Sequence, residues 1–261
     1  MVTKRGDHSN KLNPPTSVDS CKLCKAIGPL HPCSHVIPQW MYKMLPQDGR
    51  PMQIASSYPG EQQQRSQTGF YGSFVCPNCE KRFAAWDDYA ATILLRSPVN
   101  TDKGLIFGEY DYNKLALFFL SILWRAHACE HKFFEKLDLG SDAAALAQCL
   151  LNEDADISKK FEIIPTWSSN ILALGVMTPV KVSVQSTPYW QLYLPLFQVL
   201  IKVVPGSGAV CMQALVMTEG KDLYMIEKTF TEFGEIEIAE RVVKENIKKK
   251  NDKRKKPKEA Y

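Results

Sequence analysis

Hydrophobic residues in the middle of the chain recur with the period of an α-helix. After residue 79 the apolar side chains stand three or four positions apart, which places them on one face of a helix. They are Phe83, Trp86, Ala90, Ile93 and Leu94. The pattern therefore predicts an amphipathic helix over residues 80–96, with its apolar face turned toward a core.

Three further helices are predicted downstream. Residues 110–137 begin with an almost continuously apolar segment, which favours a buried helix. Residues 142–153 follow Ser141, whose hydroxyl suits the N-cap position of the next helix. Residues 234–250 combine charged and apolar positions, and they predict an amphipathic helix that leads into the C-terminal tail.

Beyond Ile163 the pattern changes to that of β-strands. Residues 180–186 alternate between apolar and polar side chains, and three β-rich runs follow, separated by turn sequences. These runs span residues 190–204, 208–217 and 222–230. The order of helices and then strands predicts an α+β fold with an antiparallel sheet in its second part.

Composition narrows the class of protein. The chain has 261 residues, of which 45% are hydrophobic and 23% are charged, values typical of a folded protein of one or two domains. The longest apolar run, Leu115 to Trp124, is about half of the ~18–20 residues that a membrane span requires. The first residues contain no apolar stretch typical of a signal peptide. We therefore expect a cytoplasmic protein without a membrane partner.

The net charge of +4 is concentrated at the C-terminal end. From residue 244 onward basic residues clearly outnumber acidic ones. Such tails often bind nucleic acid through the release of counterions, and the candidate contacts are Lys249, Lys250, Arg254 and Lys255. A solvated tail that only increases solubility fits the same composition.

Four of the eight cysteines form two close pairs, Cys21 with Cys24 and Cys76 with Cys79. Two C-x2-C pairs in a chain without a secretory signal are typical of a zinc site. Each pair is a knuckle that points two thiolates at one metal, so the four together predict a closed structural zinc site. Cys33 is near enough to the first knuckle to be a substitute ligand. Cys149 and Cys211 have apolar sequence neighbours and are expected in the core.

The segment between the knuckles, residues 25–75, is longer than in a simple zinc ribbon. It contains the box Ser34-His35-Val36-Ile37-Pro38, where two β-branched residues favour a short strand that carries the histidine. Residues 47–69 are rich in Gln, Ser, Pro and Gly and predict a loop, and residues 69–76 predict a second strand. Arg65, within that loop, is a candidate phosphate contact or a solvated side chain.

This order of motifs resembles the HNH endonucleases of the ββα-metal, treble-clef type. The resemblance rests on the two knuckles, the box from Ser34 to Pro38 and Glu80 after the second knuckle. It covers residues 18–96, a little under a third of the chain. It implies a treble-clef zinc module over residues 1–98.

The resemblance also implies a reaction, the metal-dependent hydrolysis of phosphodiester bonds in nucleic acid, with DNA the expected substrate. His35 takes the position of the general base that activates water. Glu80 takes the helix-start position that holds a catalytic Mg²⁺ or Mn²⁺. Asp87 lies seven residues further on, on the same predicted helix face, and is a candidate second carboxylate for catalysis and for that cation.

Two positions depart from the family pattern. Ser34 stands where the family usually has an acidic metal ligand, and the stretch Phe70-Tyr71-Gly72-Ser73 offers no equivalent of the middle asparagine. A catalytically inactive zinc-knuckle module that binds nucleic acid or protein is therefore the alternative. A third hypothesis is an effector of a phage-conflict system that needs a partner protein.

The remaining chain carries no recognisable catalytic motif. Residues 99–243 form a helix-plus-sheet region of unknown role, which is where we expect a protein partner to bind. Residues 244–261 form the basic tail. His127 and His131 stand four apart on the predicted second helix, but the intervening Glu130 is wrongly placed for a zinc-protease motif.

Overall fold

The computed structural model describes most of the chain before residue 228. The described ranges are residues 18–45, 52–56, 64–66, 69–102, 104–153, 156–167, 176–203, 206 and 208–227. The predicted helix over residues 234–250 and the basic tail lie outside them. No helix in these ranges combines the length and the apolar character needed to cross a bilayer.

Helices and strands alternate in groups along these ranges. The helices are α1 (Gln39–Lys43), α2 (Pro77–Leu94), α3 (Tyr112–Ala128), α4 (Ser141–Asn152) and α5 (Ile157–Lys160). Two 3-10 helices span Lys132–Phe134 and Val210–Leu215. The strands are β1 (Val18–Ser20), β2 (Ile27–Pro29), β3 (Ser34–His35), β4 (Met52–Ala55), β5 (Gln64–Ser66), β6 (Tyr71–Gly72), β7 (Val99–Asn100), β8 (Leu105–Gly108), β9 (Glu162–Trp167), β10 (Val176–Val184), β11 (Thr187–Leu194), β12 (Phe197–Lys202) and β13 (Leu223–Met225). The fold is α+β.

The largest sheet has six strands in the order β5-β4-β10-β11-β12-β9. Its pairs are antiparallel except for β4 and β10, which run parallel with Ile54 beside Val176. The prediction of a loop over residues 47–69 was therefore wrong for β4 and β5. The sheet takes strands from both sides of residue 98, so the zinc module and the second region share one sheet.

Three small sheets complete the β-structure of the described ranges. Strands β1 and β2 pair on either side of the first knuckle, β3 pairs with β6, and β13-β8-β7 forms a three-stranded sheet. The strand predicted to carry His35 spans Ser34–His35 and does not include Val36 and Ile37. Val36 and Ile37 are buried instead, and Pro38 caps helix α1.

Helices α2 and α3 pack against each other through aromatic side chains. The predicted apolar stripe of α2 is confirmed, since all five of its residues are buried. The ring centroids of Phe83 on α2 and Trp124 on α3 are 6.0 Å apart. Helix α3 is buried on nearly its whole circumference, as its apolar sequence predicts. Asp111 caps its N-terminus by accepting a hydrogen bond from Lys114 N at 3.1 Å.

Helix α3 ends at Ala128, although the prediction extended it to Leu137. Cys129 is extended, with φ −77° and ψ 126°. The chain then turns so that Phe133 stacks on Phe70 with centroids 4.4 Å apart. His127 and His131 consequently do not share a helix.

Three smaller predictions were also wrong. Residues 210–215 form a 3-10 helix where a strand was expected, and Cys211 on it is exposed. Helix α4 is preceded by Gly140 in the left-handed region, so Ser141 is its first residue and not its N-cap. The core position of Cys149 is confirmed.

Candidate metal centre and histidine site

The first knuckle is a tight turn between β1 and β2. Cys21 N–H donates to Ala26 O at 2.9 Å, and Lys25 N–H donates to Cys21 O at 2.8 Å. Lys25 adopts a positive φ of 63°, which closes the turn. The turn directs the side chains of Cys21 and Cys24 to the same side.

The second knuckle is the start of helix α2. Cys76 is the N-cap, Pro77 follows at the first helical position, and Cys79 lies in the first turn. Lys22 N–H donates to Phe74 O at 2.9 Å, and Cys76 N–H approaches Cys21 Sγ at 3.3 Å. These contacts join the two knuckles through their backbones.

The four thiols are arranged as a tetrahedral zinc site requires. All four sulfur atoms lie within 4.8 Å of one another. Cys21 Sγ and Cys79 Sγ are 3.8 Å apart, and Cys24 Sγ and Cys76 Sγ are 3.7 Å apart. Zinc–sulfur bonds of about 2.3 Å in a tetrahedron put the sulfurs about 3.8 Å apart. The cluster therefore fits a zinc ion, and it does not include Cys33.

Burial and backbone donors act in opposite directions on these thiols. Burial raises the pKa of Cys21, but hydrogen bonds from backbone N–H groups, chiefly that of Cys76, outweigh it and bring the value to about 7. Burial raises the pKa of Cys79 well above the usual range of a thiol, and the charge of Cys21 adds to the effect. Two such thiols so close together can both be thiolates only where a cation offsets their charge.

A lysine inside the first knuckle ties it to the end of helix α3. Lys22 Nζ donates to Ala128 O at 2.9 Å and to Glu130 Oε1 at 2.7 Å. The carbonyl of Ala128 is one of the helix-end acceptors that have no partner within the helix. The lysine charge is also favourable at this negative end of the helix dipole.

His35 lies on β3, beside Tyr71 of β6, and is half-buried. Burial lowers the pKa of His35 below its usual value, and among the charged groups Glu80 opposes this most strongly. The imidazole is therefore neutral at pH 7, the form that accepts a proton.

Glu80 lies in the first turn of α2, next to the zinc ligand Cys79. Its Oε2 is buried and has no hydrogen-bond partner among the described residues. Two further buried atoms near the box share this property, His31 Nδ1 and Ser34 Oγ. Unpaired buried polar atoms are costly in a folded protein, and a bound water or cation is the usual explanation.

Asp87 lies two turns further along α2, and both of its oxygens already have a donor. Arg125 NH1 donates to Oδ2 at 2.9 Å and NH2 donates to Oδ1 at 2.7 Å. The Arg125 side chain is only 1% exposed. Burial raises the pKa of Asp87, and the charge of Arg125 opposes that shift.

Arg125 also holds the histidine strand. Its NH1 donates to His35 O at 3.1 Å, and its NH2 donates to Ser121 Oγ at 3.0 Å. One buried guanidinium thus connects α2, α3 and β3. The sequence predicts a capping or pairing role for Arg125, because it ends an apolar run, but it does not identify Asp87 and His35 as the partners.

The contacts of the other predicted site residues are not tested by the described residues. Arg65 lies on the edge strand β5. Lys249, Lys250, Arg254 and Lys255 lie outside the described residues. Their proposed contacts with nucleic acid stay predictions.

In comparisons with protein-family models, curated proteins and solved structures, none matches this chain. The function must therefore be argued from the site itself. That site is a four-cysteine cluster that fits zinc, with a half-buried histidine and with Glu80, whose Oε2 has no hydrogen-bond partner among the described residues, directly after one of its knuckles.

Proposed function

We propose that the protein is a metal-dependent nuclease that hydrolyses phosphodiester bonds, with DNA as its substrate and His35 as its general base. The observation that carries the proposal is a half-buried His35, whose pKa burial lowers, together with Glu80, whose charge opposes that shift more than any other charged group. Among the described residues Glu80 Oε2 is buried without a hydrogen-bond partner. A neutral base and a carboxylate that can bind a cation are what water activation at a cation requires.

The zinc cluster has a structural role in this proposal. Four thiolates leave zinc no open position for water or substrate. The metal would fix the start of α2, and with it Glu80, against the two-stranded sheet of β3 and β6, which carries His35. The cluster therefore positions the site without taking part in the reaction.

The reaction is divided between two side chains. His35 accepts a proton from the attacking water, and Glu80 binds the divalent cation through oxygen, as Mg²⁺ or Mn²⁺ prefers. The cation would offset the negative charge that builds on the phosphate. Both Asp87 oxygens accept hydrogen bonds from Arg125, so Glu80 is the better-placed carboxylate, and a cation role for Asp87 stays a prediction.

Cleavage of supercoiled plasmid and of circular single-stranded DNA tests the proposal, each with Mg²⁺ or Mn²⁺ and with zinc content matched among variants. We expect nicking by the wild type, and a loss of at least ~100-fold in His35→Ala and Glu80→Gln. Asp88→Asn is the matched control, because it removes one exposed charge from the same helix. Equal cleavage by wild type and His35→Ala would exclude His35 as the base.

A second candidate function is a zinc module that binds nucleic acid without cutting it. The observation in its favour is that, among the described residues, only the four cysteines form a cluster of three or more metal-ligating groups. Ser34 also lacks the carboxylate that would complete a second cation site. This function predicts DNA binding that weakens steeply with salt, without cleavage in either metal. Deletion of residues 248–258 should then flatten the salt dependence if the tail is the binding element.

A further inference from the structure

Tyr71 and His35 lie on the same face of the two-stranded sheet formed by β3 and β6. The two residues are cross-strand partners. Val36 N–H donates to Phe70 O at 2.9 Å, so His35 and Tyr71 form a non-hydrogen-bonded pair, in which opposite side chains stand closest together. Their ring centroids are 6.0 Å apart, and the rings are inclined at 52°.

The ring of Tyr71 is open to solvent, unlike its aromatic neighbours. Tyr71 is 46% exposed, whereas Phe70 and Phe74 are each 1% exposed. Ser34, which precedes His35 on its strand, is fully buried, as alternation along a strand requires. This two-stranded sheet therefore has an inner face in the core and an outer face that carries His35 and Tyr71.

An exposed aromatic ring beside a base that acts on phosphate is suited to stacking. Every nucleobase has a flat π-face, and aromatic side chains bind unpaired bases by stacking without regard to sequence. Bases inside a duplex cover each other's faces, so a surface ring reaches only bases that are unpaired or displaced.

We propose that Tyr71 stacks on an unpaired nucleobase next to the phosphate on which His35 acts. This inference rests on the proposed function. The substrate class is then single-stranded or locally unpaired nucleic acid. Tyr71 is a specificity-determining residue in this proposal and takes no part in proton transfer.

The test compares two single-stranded oligonucleotides of equal length and charge, oligothymidylate and its fully abasic analogue. Binding to the zinc-loaded full chain is measured by fluorescence anisotropy without added Mg²⁺ or Mn²⁺. Both ligands have the same phosphates, so the counterion contribution cancels between them. The variants are Tyr71→Ala and the matched control Tyr71→Phe, which keeps the ring, and their zinc contents and unfolding midpoints are checked first.

We expect the wild type to bind oligothymidylate more tightly than the abasic strand. Tyr71→Ala should weaken oligothymidylate binding about 5- to 150-fold and leave abasic binding unchanged, while Tyr71→Phe stays within about twofold of the wild type. Equal losses on both strands, or no loss on either, would overturn the stacking role. Wild-type protein that binds neither strand but cuts plasmid with Mg²⁺ or Mn²⁺ would overturn the stacking role, whereas protein that neither binds nor cuts would refute the proposed function itself. Equal wild-type binding to both strands, with cleavage retained, would refute stacking alone.

Discussion

A buried arginine holds the histidine strand, and among the described residues its charge has one carboxylate partner. Arg125 is 1% exposed and binds both oxygens of Asp87. Removing one partner of a buried ion pair leaves the other charge desolvated and unpaired, which costs far more than the pair contributes. The stability of this region therefore depends on the two residues jointly.

We expect Arg125→Met to lower the free energy of unfolding by about 3–5 kcal/mol, because it leaves the Asp87 carboxylate buried alone. The double variant Arg125→Met with Asp87→Leu should lose less than the single variant. Urea unfolding of the zinc-loaded protein measures both. Lys159→Met removes one charge from the exposed pair with Asp156 and should change stability by less than about 1 kcal/mol. A single-variant loss as small as that control would contradict the argument.

His35 should make stability depend on pH in a known direction. Burial lowers its folded-state pKa, so the unfolded chain binds the proton more tightly. Its contribution is complete above the unfolded pKa of about 6.5 and is lost as the pH falls through 6.5 toward the folded pKa. We expect His35→Gln to lose less stability than the wild type between pH 7.5 and pH 5.5. Thermal unfolding at both pH values measures this difference between the two proteins. Both contain the same cysteines, so any effect of cysteine titration on stability cancels in the comparison. Parallel losses would argue against a buried, neutral histidine.

At the scale of elements, helix α2 links the metal to the proposed catalytic carboxylate. Its N-cap and first turn supply two zinc ligands, and Glu80 directly follows the second of them. Cys76 makes no capping hydrogen bond through its side chain, so a metal bound at the cluster would fix the helix start in its place.

Cys76→Ser should lower zinc content and destabilise the fold, because structural zinc contributes directly to folding free energy. Elemental analysis and thermal unfolding measure the two effects. The matched control is Cys211→Ser, which alters an exposed thiol outside the cluster and should keep full zinc and an unchanged midpoint. Full zinc content in Cys76→Ser would show that the metal does not depend on the second knuckle.

The sequence predicts those elements that are specified by residues close together in the chain. Helix α2 follows from its apolar period, and the zinc cluster follows from the spacing of two cysteine pairs. The end of α3 does not, because it depends on Phe133 reaching Phe70, a contact between residues far apart in the chain. Strand β4 is not predicted because its pairing with β10 joins residues that are far apart in the chain. Strand β5 is not predicted because its sequence, Gln-Arg-Ser, has no apolar alternation.

At the scale of the whole molecule, the zinc module and the second region share a core. One continuous cluster of buried side chains runs from Cys21 to Met225 among the described residues. It includes Ile54 of β4, which brings the segment between the knuckles into the large sheet. The boundary at residue 98 stays a prediction, and buried side chains on both sides of it belong to this cluster.

We expect the zinc-loaded chain to unfold in one cooperative transition, because neither part can lose its packing alone. Calorimetry tests this through the agreement of calorimetric and van't Hoff enthalpies. A fragment of residues 1–98 should fail to fold with zinc present, as judged by circular dichroism. Two separate transitions, or a folded fragment, would show that the regions are independent domains.

The distance along the chain between the knuckles has a consequence for how the protein tolerates change. A metal held by Cys24 and Cys76 closes the intervening segment into a loop, much as a covalent cross-link would. The entropic cost of loop closure grows only with the logarithm of length, by about 0.6 kcal/mol for each doubling. Insertions between β4 and β5 should therefore cost little free energy, while a deletion that shortens the paired strands would break the sheet. The metal thus makes this segment the part of the zinc module whose length can vary most freely.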